Sequence, residues 1–472
     1  MDIVKSSFKV LMAKTAGALL TFVGTVIFAR ELGATALGIF FLFQAALGVL
    51  AVPADFGLRT AVEKRLSEGQ TGDQIFTAGI ILKTVPLGAV SVGIIAFQGT
   101  INAYLGAPLA MYLVLTLILQ ELADFSLRLL RGELRVGETW FLQFIRDAGW
   151  VVVGIPLLVL GFDVYALVYG LLVGFTVTFV WGMHKTSLAF QQPAKLHVDS
   201  LVSYAKFDVF SGVGKQFYSR MDLLVIAIFL PKAAVSSYEI AWLITMVVIL
   251  TGESVAVTIF PQVSEWSAQK ATDRIEAIVP AALVPGLLIS IPAFFGTLVF
   301  SSEILGLVFG DAYTIASVAL IILMGEKILQ SFYVVFGRSL RAINREDLSA
   351  KSTIVSIVAN LILTFVLVPL FGLSGAAIAT AVSFGLNTIL HAVYLSEFIS
   401  IRFPIVEVGW ALVAAITMTI SLLALRHVLP IQTLVELLLV ISLGALTYTV
   451  VLLLFPPLRK NVIVQAKHIL DI

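Results

Sequence analysis

Stretches of about 20 apolar residues, the length that crosses a bilayer as a helix, recur fourteen times along this chain between short breaks marked by charge, proline or glycine, the first near 8–29 and the last near 433–455. Each stretch must satisfy its backbone N–H and C=O groups internally if it sits in lipid, so helix is the form the pattern permits. Composition agrees: 59% of the 472 residues are apolar and 12% charged, against roughly a quarter charged in soluble proteins. A soluble enzyme, a disordered chain and a disulfide scaffold are excluded. The absence of cysteine excludes thiol catalysis and Cys-ligated metal centres. The five histidines, scattered from His184 to His468, lack metal-ligand spacing. No metal or cofactor is therefore expected. A net charge of +1 offers no field for a nucleic-acid partner.

The expected fold class is all-α: a polytopic membrane protein of about fourteen transmembrane helices. The first segment carries Lys14 and no small-residue cleavage site, so it reads as a retained helix rather than a signal peptide. Twenty-one lysines and arginines fall on one alternating set of connections and three, Arg30, Lys232 and Arg426, on the other. Basic residues stay on the cytoplasmic side, which predicts an even number of spans with both termini in the cytoplasm. The longest connection, near 184–206, reads as a hinge between bundles. The organisation expected is a six-helix bundle over 1–206, a second over 207–399, and a helix pair with a cytoplasmic tail over 400–472. The tail beyond Pro457 reads as an interfacial helix.

The halves share short matches. Ser67-Glu68 pairs with Ser264-Glu265, Leu134-Arg135 with Leu340-Arg341, and Gly161, Ala166 and Gly174 with Gly372, Ala377 and Gly385. Kept in order, they predict two parallel six-helix repeats, a design that places substrate at the repeat interface and rocks the halves for alternating access.

Six basic residues fall inside apolar segments: Lys14, Lys83, Arg146, Lys215, Arg220 and Lys327. Each costs at least about 2.5 kcal/mol in the membrane and needs a partner, a wet cavity or a route to the interface. Asp208, Lys215 and Asp222 recur every seven residues on the seventh segment, while Asp55 with Arg59 and Glu121 with Asp124 and Arg128 form stripes on the second and fourth. Two readings stand open. In one, Arg220, Lys215, Lys14, Lys83 and Arg146 line a cationic cavity, with Asp222, Asp55, Glu121 and Glu253 as counter-ions or coupling-ion sites. In the other, Lys14 and Arg146 snorkel, and Glu121 and Asp124 neutralise Lys83 or Lys327. Pro280, Pro285 and Pro292 predict a bent ninth segment.

Ala29-Arg30-Glu31-Leu32-Gly33, then Leu37-Gly38-Ile39-Phe40 and Asp55-Phe56-Gly57-Leu58, resemble the N-terminal pattern of polysaccharide (O-antigen type) flippases. Arg220-Met221-Asp222-Leu223-Leu224 followed by Ser237-Tyr238 is similar to that family's seventh helix, and Val62 to Glu68 resembles its archaeal members. The superfamily also holds multidrug antiporters and the lipid II flippases, whose fourteen-helix layout the extra C-terminal pair resembles. The resemblance implies a flippase of the cell membrane that moves a polyprenyl phosphate- or diphosphate-linked oligosaccharide from the inner to the outer leaflet. Its partners would be that lipid-linked glycan, membrane lipids, glycan-assembly enzymes, and Na⁺ or H⁺ as coupling ion. A cation-coupled small-molecule antiporter is the alternative. An enzyme such as a glycosyltransferase would need an Asp-x-Asp site or a sizeable polar loop, and the sequence has neither, nor a phosphate-binding loop.

Overall fold

A computed structural model describes residues 3–69, 71–456 and 459, with the side chains among them other than those of 3–15 and 207–220. The chain is helical throughout, with no strand among the described residues, and its contacts divide it into two compact units, Met1–Ser236 and Ser237–Ile472.

The first unit contains α1 (Ile3–Asp55), α2 (Leu58–Ser67), α3 (Gly72–Ala96), α4 (Gln98–Leu105), α5 (Ala110–Gly132), α6 (Thr139–Val159), α7 (Val164–Lys185) and α8 (Lys195–Phe229). Its helices approach closely where the sequence supplies glycine, because small residues let membrane helices pack backbone to backbone. A Cβ on Gly149 of α6 would lie 2.7 Å from the Gly174 Cα of α7. Trp150 stacks on Phe28 at 5.4 Å and meets Phe40 at 5.1 Å, tying α6 to both arms of α1.

The second unit holds α10 (Thr272–Phe309), α11 (Ser317–Ala342), α12 (Glu346–Ser396), α13 (Ile405–Val428) and α14 (Leu434–Leu453); α9 (Lys232–Ala268) begins at the unit boundary. The start of α14 is legible as Thr433-x-x-Glu436, and both halves of that capping box form. The α13–α14 pair packs on α10: the Tyr448 hydroxyl donates to the Leu288 carbonyl at 2.9 Å, and Trp410 Nε1 of α13 donates to the Val451 carbonyl at 3.1 Å.

Fourteen separate segments are expected; among the described residues ten helices are long and apolar enough to cross a membrane, or eleven if the pair α4–α5, bent by 94°, counts as one. The difference lies mostly in two long helices. α1 and α12 run 53 and 51 residues, about 75–80 Å at 1.5 Å per residue, and each carries two of the predicted segments. Each is broken by a glycine, Gly33 (φ 76, ψ 172) and Gly372 (φ 60, ψ −135). Only a residue without Cβ adopts these angles at little cost. The prolines of α10 do not break it. The helical path passes through all three and is interrupted at Phe300 (φ −124, ψ 17) instead.

The two units repeat the same backbone irregularities. Gly69 and Lys270 both end a helix with positive φ, as do Leu134 and Asn344, while Phe97 and Phe300 mark bends with nearly equal angles and Gly161 and Gly372 mark breaks. The offset between partners grows from 201 through 203 and 210 to 211. The Gly161 match is therefore in register. The two matches nearer the N-terminus are displaced by four residues, one helical turn, because the turns align Leu130-Arg131, not Leu134-Arg135, with Leu340-Arg341.

Candidate functional site

Charges on α1, α2, α3, α5 and α6 of the first unit converge. α1 ends at Asp55, and Phe56 and Gly57, both at positive φ, redirect the chain into α2 so that Arg59 folds back on it. The Asp55 carboxylate accepts from the Arg59 backbone N–H at 3.2 Å and lies 3.0 Å from Arg59 Nε. Lys83 of α3 reaches the same Asp55 oxygen at 2.7 Å and Glu121 of α5 at 2.6 Å. One turn further along α5, Asp124 takes Arg59 on one oxygen and Arg146 of α6 on the other at 2.8 Å. Arg146 also grips Asp147, with Nε 2.8 Å from Oδ1.

The cluster grades from closed to open. Lys83 and Glu121 are 3% and 0% exposed, too buried for water to screen them, whereas the side chains of Arg146 and Asp147 are 29% and 45% exposed. Lys83 and Glu121 pair with each other. Four carboxylates face three bases, and Glu121 Oε1 makes no hydrogen bond, its closest cation being Arg59 Nη1 at 3.8 Å. Arg59 and Asp124, which the sequence shows as members of charge stripes rather than as cavity residues, belong to the cluster, and so does Asp147. Arg59 counts as a loop residue by hydropathy, and its i, i+4 spacing from Asp55 is the signal that ties it to the stripe.

The second unit is built differently at the matching place. Counted from the Phe97 and Phe300 bends, Lys83 corresponds to Gly286; counted from the Leu134 and Asn344 turns, Glu121 corresponds to Ser331. These two touch: a Cβ on Gly286 would lie 3.3 Å from Ser331 Oγ and 3.4 Å from the Gly252 Cα. Small-residue packing stands where the first unit has an ion cluster. Its own buried charges are Glu326 and Lys327 of α11. Lys327 Nζ lies 2.7 Å from Glu326, donates to Gln330 Oε1 at 2.9 Å and sits 3.9 Å over the Trp242 ring.

Of the other residues expected to act, Asp222 is buried on α8 and Glu253 is exposed on α9. The side chains of Lys14, Lys215 and Arg220, and the tail beyond Pro457, lie outside the described residues. The second unit also holds an apolar cavity of about 460 Å³ between α10, α13 and α14, lined among others by Leu288, Pro292, Gly296, Met418, Ile441 and Ala445.

The structure matches "Lipid II flippase MurJ, inward closed conformation" with a TM-score of 0.79 at 17% identity, covering 94% of this chain and 98% of that one. It also matches an inward-facing multidrug resistance MATE family transporter of the MOP superfamily, with a TM-score of 0.67 at 16% identity over 81% and 94%. At these identities the likeness is one of fold. The family is settled by sequence: residues 27–318 match the polysaccharide biosynthesis protein model, and the chain belongs to that family. Across 98% of both chains it is 48% identical to the "Probable low-salt glycan biosynthesis flippase Agl15" of Haloferax volcanii. It is 26% identical, over 92% of both, to the "Probable flippase AglR" of the same organism. The protein is a multi-pass protein of the cell membrane that shares its fold with these transporters, and it is not an enzyme.

Proposed function

We propose that this protein flips a polyprenyl phosphate- or diphosphate-linked oligosaccharide from the inner to the outer leaflet by alternating access. The observation that carries this is the 48% identity, over 98% of both chains, to a relative named as a glycan biosynthesis flippase. The topology in this reading is fourteen crossings with both termini cytoplasmic: α1 and α12 cross twice, each through its glycine break, the pair α4–α5 crosses once, and α8 is the seventh crossing. The bundles 1–206 and 207–399 are then the repeats and 400–472 an addition, although α8 packs with the first unit.

Arg220, Lys215 and Lys14 are the leading headgroup ligands, since Lys or Arg supplies charge-assisted bonds to phosphate oxygens. Arg146, at the open end of the ion cluster, reaches the headgroup by exchanging Asp147 for it, and Lys83 holds the cluster together from behind. The apolar cavity beside α13 and α14 suits the isoprenoid tail. An inside-negative potential drives an anion outward by about 2.3 kcal/mol per charge per 100 mV. Asp55, Glu121, Asp222 and Glu253 are the candidate sites for a resetting Na⁺ or H⁺. The excess of carboxylates in the cluster, with the multidrug transporter likeness, favours a cation-coupled antiporter as the second reading.

The test is flipping of a lipid-linked oligosaccharide in proteoliposomes by Arg220→Gln/Lys215→Gln. Folded but inactive protein is expected. Normal flipping would refute the headgroup assignment, and export of cationic dyes in place of glycan would favour the antiporter.

A further inference from the structure

The matched turns at Leu134 and Asn344 bring three arginines of each unit into register at one offset of 210: Arg128, Arg131 and Arg135 at the end of α5, and Arg338, Arg341 and Arg345 at the end of α11 and its turn. In the first unit the outer two are neutralised. Arg128 pairs with Glu63, and Arg135 pairs with Glu138 at 2.8 Å and lies 3.7 Å from Glu133. The second unit keeps the arginines and lacks each of these carboxylates. Counted from the corresponding turns, Glu63 becomes Ser264, Glu133 becomes Ile343 and Glu138 becomes Leu348. The neighbouring Glu265 is exposed and engaged with Gln269 at 3.1 Å.

Among the described residues Arg338 and Arg341 form no ion pair. The Arg341 Nε donates to the Gly337 carbonyl of its own helix at 3.0 Å, and Arg345 reaches Asp347 at 3.5 Å while lying over the Phe398 ring. Positions 338 and 341 are one turn apart on one helical face, Arg338 half-buried and Arg341 exposed. Retention of basic residues on the cytoplasmic side explains why arginines are there. It does not explain why Arg338 lacks the carboxylate that Arg128 has, while Arg341, like Arg131, forms no ion pair among the described residues.

We infer that Arg338 and Arg341 form an anion site at the inner membrane interface that takes a phosphate ester. The inference rests on the flippase reading for its cytoplasmic placement, and it adds a loading position outside the cavity residues named above. Two guanidinium forks with no ion pair among the described residues, Arg338 feeling the Glu253 carboxylate only at longer range, fit phosphate oxygens in the bidentate manner that lysine cannot reproduce. The phosphate comes either from the lipid-linked substrate or from anionic bilayer lipid.

Native mass spectrometry of the full-length protein in detergent, with dolichyl phosphate and phosphatidylglycerol as probes, separates these. Arg338→Gln/Arg341→Gln is expected to lose at least about tenfold in bound phosphate lipid with an unchanged elution profile. Arg338→Lys/Arg341→Lys, which keeps the charge and the membrane orientation, should recover only part of it. Loss confined to dolichyl phosphate identifies the substrate as the source, and loss of both probes identifies bilayer lipid. Undiminished binding in the glutamine variant, or full binding in the lysine variant, would overturn the site. Wild-type protein that binds the probe without flipping lipid-linked glycan would instead sink the flippase reading and leave the site standing.

Discussion

Replacing Lys83 by methionine tests whether the ion cluster is as closed as its geometry implies. The ammonium lies 2.7 Å from Asp55 and 2.6 Å from Glu121, and these carboxylates are 6% and 0% exposed. Without it, two buried carboxylates share Arg59, which is 3.0 Å from one and 3.8 Å from the other. One negative charge is then uncompensated. Removing one partner of a buried pair costs about 3–5 kcal/mol, roughly a 10²- to 4 × 10³-fold shift toward the unfolded state at about 1.4 kcal/mol per tenfold. Lys83→Met/Glu121→Gln removes the stranded charge together with its partner, so it should cost less than about 1 kcal/mol, because a buried pair replaced whole is often neutral. The coupling energy of the cycle is then at least about 2 kcal/mol, within the range for residues in one network. Reversible unfolding in mixed detergent micelles measures these two variants and the Glu121→Gln single. A single substitution costing under about 1 kcal/mol, or a double as costly as the two singles summed, would show the cluster to be hydrated and refute the reasoning.

Other expectations concern backbone and cavity. Gly38→Ala should fail to yield folded protein or lose several kcal/mol, since its Cβ would fall 1.8 Å from the Lys232 carbonyl oxygen; expression and thermal unfolding report it. Gly372→Ala forces a side chain into φ 60, ψ −135 and should cost about 1–3 kcal/mol by the same unfolding measurement. A Cβ at Gly296 meets nothing within 4 Å although the residue lines the apolar cavity. Gly296→Trp should therefore fold normally and slow flipping of long-tailed substrate while sparing a short-tailed analogue, and equal slowing of both would remove the cavity from the tail's path.

Much of the architecture is legible because lipid leaves a chain so few options. The apolar runs locate the membrane helices. What hydropathy cannot see is whether two runs are joined. Gly33 and Gly372 read as loop signals, yet each is a single-residue kink with helix on both sides and no loop between, in stretches of 53 and 51 residues. Nor does a Leu-Arg pair fix its own register: Leu130-Arg131 and Leu134-Arg135 sit one turn apart, and only the left-handed residue after the helix decides between them. At the site, the stripes Asp55 to Arg59 and Glu121 to Arg128 are visible as stripes, because helical spacing is local. Their closure around Lys83 and Arg146 is not, since it depends on how α1, α3, α5 and α6 pack. The counting of bases against acids is likewise uninformative about partners: Lys83 meets Asp55 and Glu121, while Lys327 meets its chain neighbour Glu326.

The order of the cluster along the chain bears on how such a protein is made. Helices enter the membrane as they emerge, and an unpaired charge is expensive there. Asp55 arrives with Arg59 four residues behind it. Lys83 follows and finds Asp55 already in place. Glu121 then finds Lys83, Asp124 finds Arg59, and Arg146 finds Asp124. At no stage does the growing cluster carry more than one uncompensated charge of either sign, so synthesis itself proceeds through a series of nearly neutral intermediates. Moving any one of these residues to a later helix would strand its partner in lipid during insertion, even if the finished structure were unchanged.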